Sequence, residues 1–169
     1  MRRRLTLVIV AVALAGALVS AQTPGKSSPQ ASKAGAGPDR ARLAQVIAAW
    51  SSMDVAKAAP FYAKDPGLTF YDIAPRKYNG WSEYEKGTNE MFKTVKSLAM
   101  KVNDDAQVHH AGNAAWATAT VDGEMVNKDG SRLKIDARWT SVWEKRGNEW
   151  LIVHEHFSMP FPEQPPAKK

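Results

Sequence analysis

Apolar side chains in the first half of the chain recur at the spacing of helices. After Asp39, which is suited to cap a helix, four apolar residues lie three or four positions apart: Leu43, Val46, Ile47 and Trp50. Asp54 is suited to cap a second, short helix, although Pro60 weakens it, and its apolar positions are Val55, Ala58, Ala59 and Tyr62. The pattern therefore predicts two helices before any strand.

A short strand and a third helix follow. Residues 68–72 alternate between two sets of side chains, which predicts a strand with Asp72 on the same face as Phe70. Further on, Ser82 and Glu85 have the spacing of a capping box. The helix that they open would bury one stripe of side chains: Tyr84, Thr88, Met91, Phe92 and Val95.

From about Leu98 onward, alternation replaces helical spacing. Turn residues interrupt it at Gly112-Asn113, Asp129-Gly130 and Gly147-Asn148, which predicts four successive antiparallel strands. Helices, one short strand, a helix and then a long meander indicate an α+β fold, in which a curved sheet wraps around the helices.

The N-terminal residues have the features of a secretory signal peptide. Three arginines precede an apolar run over residues 5–19, and small residues follow at positions that a signal peptidase reads. The run is shorter than the roughly 20 residues of a membrane span, so export is favoured over a membrane anchor. We expect a signal peptide (1–21), a flexible linker (22–38), one domain (39–162) and a flexible tail (163–169). The mature protein is then periplasmic or secreted, with no stable membrane anchor.

Charge excludes one class of partner. The formal net charge is +6, but seven of the 23 basic residues lie in the predicted signal peptide and flanks, which leaves 16 against 17 acidic residues. The predicted domain is therefore close to neutral and lacks the basic footprint of a nucleic-acid-binding protein. The chain has no cysteine, so burial of apolar surface, without disulfides, must stabilise it.

Several short motifs carry a resemblance to a known family. They are Tyr62-Ala-Lys-Asp-Pro66, Phe70-Tyr-Asp72, Gly80-Trp81, Arg138-Trp-Thr-Ser-Val-Trp143 and Trp150-Leu-Ile-Val-His154-Glu-His156-Phe-Ser158. With them the chain resembles a SnoaL-like domain of the nuclear transport factor 2-like superfamily, and its ending is similar to the association domain of calcium/calmodulin-dependent kinase II. The resemblance implies a cystatin-like cone with a pocket at its open end, and it implies activity only weakly because members include isomerases, cyclases, dehydratases and binding modules.

The register of the last hairpin decides which side chains face that pocket. A loop of two residues, Gly147 and Asn148, would mix charged and apolar groups on each face. A loop of three residues, with Asn148 in the left-handed conformation, segregates the apolar groups and is preferred. One face then carries Trp139, Ser141, Trp143, Leu151, Val153, Glu155 and Phe157; the other carries Arg138, Thr140, Val142, Trp150, Ile152, His154, His156 and Ser158.

Glu155 is then a carboxylate on an apolar inner face, where desolvation raises its pKa toward neutrality. Asp72 could approach the same cavity and act with Glu155 as acid and base. We expect a ligand pocket formed with Tyr78, Trp81, Trp139, Ser141 and Phe157. Alternatively, Glu155 pairs with a basic side chain and only closes the cone.

The outer face carries His154 and His156, which project the same way from a strand. They could ligate a metal, but no third ligand at fitting spacing supports one, so we predict no metal and no cofactor. We expect them to bond with Arg138 and Thr140, or to lie in a homodimer interface, because the superfamily often dimerises through this convex face. The adjacent pair His109-His110 is assigned no site.

Three functions remain open. The leading hypothesis is an exported protein that binds a small apolar or aromatic molecule in the cone. The second is an enzyme of isomerisation, cyclisation or dehydration that uses Glu155 and Asp72. The third, a homo-oligomerisation module, follows from the likeness to the kinase association domain.

Overall fold

Residues 37–73 and 75–161 are described in the computed structural model of the chain. The predicted signal peptide, most of the predicted linker and the predicted tail lie outside the described residues. Within the two described ranges, no helix is long and apolar enough to cross a membrane.

Three helices precede the long strands, and local capping explains where they begin. Helix α1 spans Arg40–Ser51, and the Asp39 carboxylate accepts from the Arg42 N–H at 2.7 Å. Helix α2 is short, Val55–Ala58, and continues as a 3₁₀ turn over Ala59–Phe61, where proline is tolerated because it lies in the first turn.

Helix α3 spans Gly80–Phe92 and begins before the predicted capping box. Asn79 is its N-cap residue, and Glu83 rather than Glu85 reaches back to accept from the Asn79 N–H at 2.7 Å. The helix also ends earlier than predicted. Val95 is buried as the first residue of a strand rather than on the helix.

The described part of the chain has seven strands in one mixed sheet: β1 (Thr69–Tyr71), β2 (Tyr78–Asn79), β3 (Val95–Val102), β4 (Gln107–Ala111), β5 (Ala114–Asn127), β6 (Arg132–Arg146) and β7 (Glu149–Ser158). Its order is β2-β1-β7-β6-β5-β3, and β4 also pairs with β5. Among the strands of the described residues, β1 and β7 are the one parallel pair, with Phe70 opposite Glu155. The predicted α+β fold with a curved sheet is confirmed, and the meander has five strands instead of four.

The core lies between the concave face of the sheet and the helices. Helix α1 contributes the four apolar residues that its spacing predicts, and all are buried. The facing positions of β5 are small, since Ala115, Ala117 and Ala119 alternate there with outward side chains. Two large rings of β6, Trp139 and Trp143, are paired with Ala119 and Ala115 and are buried beside them. Each such buried side chain contributes about 1.5–3 kcal/mol.

The predicted register of the β6–β7 hairpin is wrong near its turn. The loop has two residues, with Arg146 paired to Glu149, and Gly147 rather than Asn148 takes the positive φ, at 62°. Glycine adopts this conformation without a steric cost. As a result, Trp150 and Ile152 are buried on the inner face, where the preferred three-residue loop did not place them.

A β-bulge then shifts the register by one residue at Val153, because Trp143 pairs with Ile152 while Val142 pairs with His154. Beyond the bulge, Trp139 pairs with Phe157 and Ser141 with Glu155. The extra residue therefore keeps apolar side chains on the inner face in both halves of the hairpin. Glu155 points inward because of this bulge, which the alternation in the sequence does not reveal.

Candidate functional site

Glu155 lies at the centre of the site, on the inner face of β7. Its side chain is 2% exposed and accepts three hydrogen bonds from neighbouring rings. Tyr84 on α3 donates to Oε1 at 2.5 Å. The Tyr62 hydroxyl and Trp139 Nε1 donate to Oε2 at 2.8 and 3.1 Å. These donors are neutral, and none of the ion pairs among the described residues includes Glu155.

A further hydrogen-bond donor contacts Tyr62 and not Glu155 itself. Trp50 on α1 donates from Nε1 to the Tyr62 hydroxyl oxygen at 2.8 Å. This contact orients the Tyr62 proton toward Glu155, since the hydroxyl has a single proton to donate. We call the five side chains the Glu155 network: Trp50, Tyr62, Tyr84, Trp139 and Glu155.

Burial raises the pKa of Glu155 from 4.5 to about 7, since the low-polarity surroundings disfavour its charge. The hydrogen bonds from Tyr84, Tyr62 and Trp139 oppose this effect, and the nearby negative charge of Asp72 reinforces it. Glu155 therefore changes its charge near neutral pH. Burial together with the Glu155 charge raises the pKa of both tyrosines well above 10.

Asp72 is the second carboxylate on the inner side, directly after β1. Its Oδ1 accepts from the N–H of Ile73 at 2.7 Å. Burial raises its pKa from 3.8 to about 6, and this backbone hydrogen bond lowers it to a smaller extent. The parallel pairing of β1 with β7 brings Asp72 to the same cavity as Glu155, although the two residues are far apart in the chain.

Both carboxylates line a cavity of about 170 Å³ between the sheet and the two longer helices. Its polar lining residues are few, and the rest are aliphatic, aromatic or thioether side chains. The lining consists of Ile47, Trp50, Asp72, Ile73, Tyr84, Thr88, Met91, Phe92, Leu98, Met100, Met125, Leu133, Ile135, Trp139, Glu155 and Phe157. An apolar cavity of about 150 Å³ is large enough for benzene, so this one suits a molecule of about one ring.

The described residues do not assemble a metal centre. No group of three or more His, Cys, Asp or Glu side chains within residues 37–73 and 75–161 could hold a metal ion. The carboxyl groups of Asp72 and Glu155 on the cavity wall can supply acid–base and hydrogen-bonding chemistry.

Of the residues predicted for the pocket, Trp139 and Phe157 line the cavity, whereas Tyr78, Trp81 and Ser141 do not. Tyr78 stacks on Tyr84 with ring centroids 4.9 Å apart. Trp81 packs on Tyr62 at 4.9 Å. Ser141 is fully buried and accepts from Trp143 Nε1 at 2.9 Å. These three residues therefore pack against the Glu155 network or the core and do not face the cavity.

Residues 40–162 match the family model for the SnoaL-like domain. The chain belongs to the SnoaL-like domain family. This confirms the resemblance inferred from the sequence. No curated protein gives a significant match.

Solved structures show the same fold. A nuclear transport factor 2-like superfamily protein from Salmonella enterica serovar Typhimurium has a TM-score of 0.65 at 24% identity, over 75% of this chain and 92% of that chain. A protein described as a calcium/calmodulin-dependent protein kinase II association domain, from Xanthomonas campestris, has a TM-score of 0.60 at 22% identity, over 75% and 91%. One described as a dehydratase, from Streptomyces avermitilis, has a TM-score of 0.61 at 14% identity, over 69% and 90%. At these identities the likeness shows the fold alone.

On the outer face of this SnoaL-like domain, Thr140 and His156 are paired across β6 and β7, as are Arg138 and Ser158. His154 Nδ1 donates to the Thr69 carbonyl oxygen at 2.6 Å, so this imidazole bonds to β1 rather than to Arg138. The Arg138 guanidinium donates to the Met159 carbonyl oxygen at 3.4 Å. The outer-face residues therefore lie away from the cavity.

The sequence predicts Trp139 on the same face as Glu155, but it does not indicate the tyrosine donors Tyr62 and Tyr84. Tyr62 and Trp50 were assigned to helix faces, and Tyr84 was expected to be buried, but none was connected with the carboxylate. The one available signal was the Tyr62 motif that contributed to the family resemblance. The contact of Tyr62 with Glu155 spans 93 residues of sequence, which local periodicity does not report.

Proposed function

We propose that this SnoaL-like domain is an exported binding protein that holds a small, mainly apolar molecule of about one ring in its cavity. The observation that carries this proposal is the cavity of about 170 Å³ with predominantly apolar walls. Ligand sites are typically concave, mostly apolar and equipped with a few converging polar groups. Export rests on the N-terminal sequence alone.

The hydrogen-bonding state of Glu155 supports binding over catalysis. All three of its donors are directed at the carboxylate, so they are not free to stabilise charge on a substrate oxygen. A proton-transfer enzyme needs such donors positioned at the atom where charge develops.

Titration with toluene tests the proposal, followed by ligand-detected NMR. Toluene is expected to bind with a dissociation constant on the order of 0.1–1 mM, as a ligand of its size can. Leu98→Trp should abolish binding because Leu98 lines the cavity and the larger ring fills it. Leu151→Trp is the matched control, since Leu151 pairs with the exposed Glu144 outside the cavity. Binding that survives Leu98→Trp unchanged, or no binding at all, contradicts the proposal.

A second candidate, proton transfer beside a carbonyl, is favoured by one specific observation. Asp72 and Glu155 share the cavity, and their pKa values are raised to about 6 and about 7, the range in which carboxyl groups act as acid and base near neutral pH. Incubation of acetophenone in D₂O tests it by NMR. An enzyme would exchange the methyl protons faster than buffer does, and Glu155→Gln would remove the acceleration.

We also propose a homodimer that forms through the outer face, in keeping with the sequence-based expectation. Tyr71 and Trp116 are exposed there at 39% and 43%, so this face presents two large rings that a second copy of the chain could cover. Sedimentation velocity tests it, and a monomer at micromolar concentration contradicts it.

A further inference from the structure

The donors and acceptors on the cavity wall are unequally available to a ligand. Trp50 Nε1 already donates to Tyr62, and Trp139 Nε1 and the Tyr84 hydroxyl already donate to Glu155. None of the lining residues that the structure describes is a lysine, arginine or histidine. An anionic group in the cavity would therefore meet two carboxyl groups and find few free donors.

Acceptors, by contrast, have spare capacity. Asp72 receives one hydrogen bond, from the N–H of Ile73, whereas a carboxylate has about four acceptor positions. Thr88 is only 4% exposed and lines the same cavity, and its hydroxyl makes no hydrogen bond of good geometry. Its neighbour is the Tyr78 hydroxyl, and the Thr88 side chain lowers the pKa of Tyr78 less than burial raises it. Two side chains on the cavity wall, the half-buried Asp72 and the buried Thr88, thus have oxygen atoms available for the N–H groups of a ligand.

The rest of the cavity wall suits a ligand that has an apolar group close to a positive charge. Aromatic rings from both helices and from the sheet surround the cavity: Trp50, Tyr84, Phe92, Trp139 and Phe157. The faces of such rings attract cations, most strongly where water is excluded. Three methionines, Met91, Met100 and Met125, add polarisable side chains that adapt to an apolar group.

We propose that the ligand is a small arylalkylamine, bound as its ammonium ion, with the N–H groups directed at Asp72 and Thr88 and the ring among the aromatic and methionine side chains. The inference rests on the proposed binding function and specifies its ligand class. It follows from the acceptors that remain free in the cavity and from the lack of a basic side chain on its wall.

Four probes of similar size separate the inference from the binding function: benzylamine, benzyl alcohol, toluene and benzoate. Each is titrated into the protein near neutral pH by calorimetry. Benzylamine is expected to bind at least about tenfold more tightly than benzyl alcohol, because a hydrogen bond to a charged group is about twice as strong as a neutral one. Benzoate is expected not to bind.

Asp72→Asn tests the position of the ammonium group. It should weaken benzylamine binding by about tenfold and weaken toluene binding far less, since the side-chain volume is kept and only the charge is removed. Asp136→Asn is the matched control, because Asp136 is an exposed β6 residue outside the cavity, and it should leave both affinities unchanged.

The outcomes are distinct. Toluene binding together with benzylamine no tighter than benzyl alcohol overturns the amine assignment and leaves the binding function in place. Benzoate binding that is tighter than benzylamine binding also overturns the amine assignment. If none of the probes binds, both proposals are wrong. The four-probe comparison uses the wild-type protein, so it decides the question even if Asp72→Asn fails to fold.

Discussion

Replacing Glu155 by glutamine is expected to stabilise the protein above neutral pH. A pKa raised from 4.5 to about 7 means that the ionised carboxylate costs the folded state about 3 kcal/mol relative to the unfolded chain. Glutamine has nearly the same shape and no charge, so the variant avoids this cost.

Glutamine also preserves most of the Glu155 network. Its amide oxygen can accept from Tyr62 and Trp139, as Oε2 does now. Its NH₂ group can donate a hydrogen bond to the Tyr84 hydroxyl oxygen, because a hydroxyl oxygen can also act as an acceptor. Since the rearrangement offsets part of the gain, we expect the variant to be more stable than the wild type by about 1–3 kcal/mol at about pH 8.

The raised pKa of Glu155 determines how the free energy of unfolding changes with pH. Below pH 4.5, Glu155 is protonated in both the folded and the unfolded state, so the charge has no effect on their difference. Between pH 4.5 and about 7 the folded state keeps a proton that the unfolded chain releases, so the free energy of unfolding of the wild type falls as pH rises. Asp72 behaves similarly between pH 3.8 and about 6, but it is present in both proteins.

Urea denaturation across this pH range measures the difference between the two proteins. It should be small near pH 4.5 and grow to its full value above about pH 7. Glu149→Gln, at the exposed start of β7, is the matched control and should change stability by less than about 0.5 kcal/mol. A difference that is independent of pH, or a Glu155→Gln variant that is less stable than the wild type at about pH 8, would refute the reasoning.

Two further predictions concern the network and the sheet. Tyr84→Phe removes the 2.5 Å hydrogen bond to Glu155 and should cost about 2 kcal/mol above neutral pH, with a further rise in the pKa of Glu155 measurable by NMR; an unchanged pKa would contradict it. Gly123→Ala should cost more than about 2 kcal/mol in urea denaturation, because its Cβ would overlap the Ala99 carbonyl oxygen. The neighbouring Glu124→Ala loses only an exposed ion pair with Arg132 and should cost less than about 1 kcal/mol.

Local signals in the chain determined the elements and the fold class. Helical spacing after Asp39 and Asp54, alternation beyond Leu98 and the turn dipeptides correspond to elements that the structure contains. Such signals depend on neighbouring residues, because capping and face periodicity act over a few positions. The ends of some elements differ from the prediction. At the start of α3, for example, Glu83 instead of Glu85 accepts from the Asn79 N–H.

The tertiary structure alone decided how the site is built. Whether Glu155 faces inward depends on a bulge at Val153, which inverts the alternation after a two-residue turn and leaves no mark in the hydrophobic pattern. The donors to Glu155 come from α3, from Tyr62 directly after the 3₁₀ turn, and from β6, and Asp72 reaches the cavity through a parallel strand pairing. Contacts of this kind join segments that are distant in the chain, and packing in three dimensions, rather than local propensity, selects them.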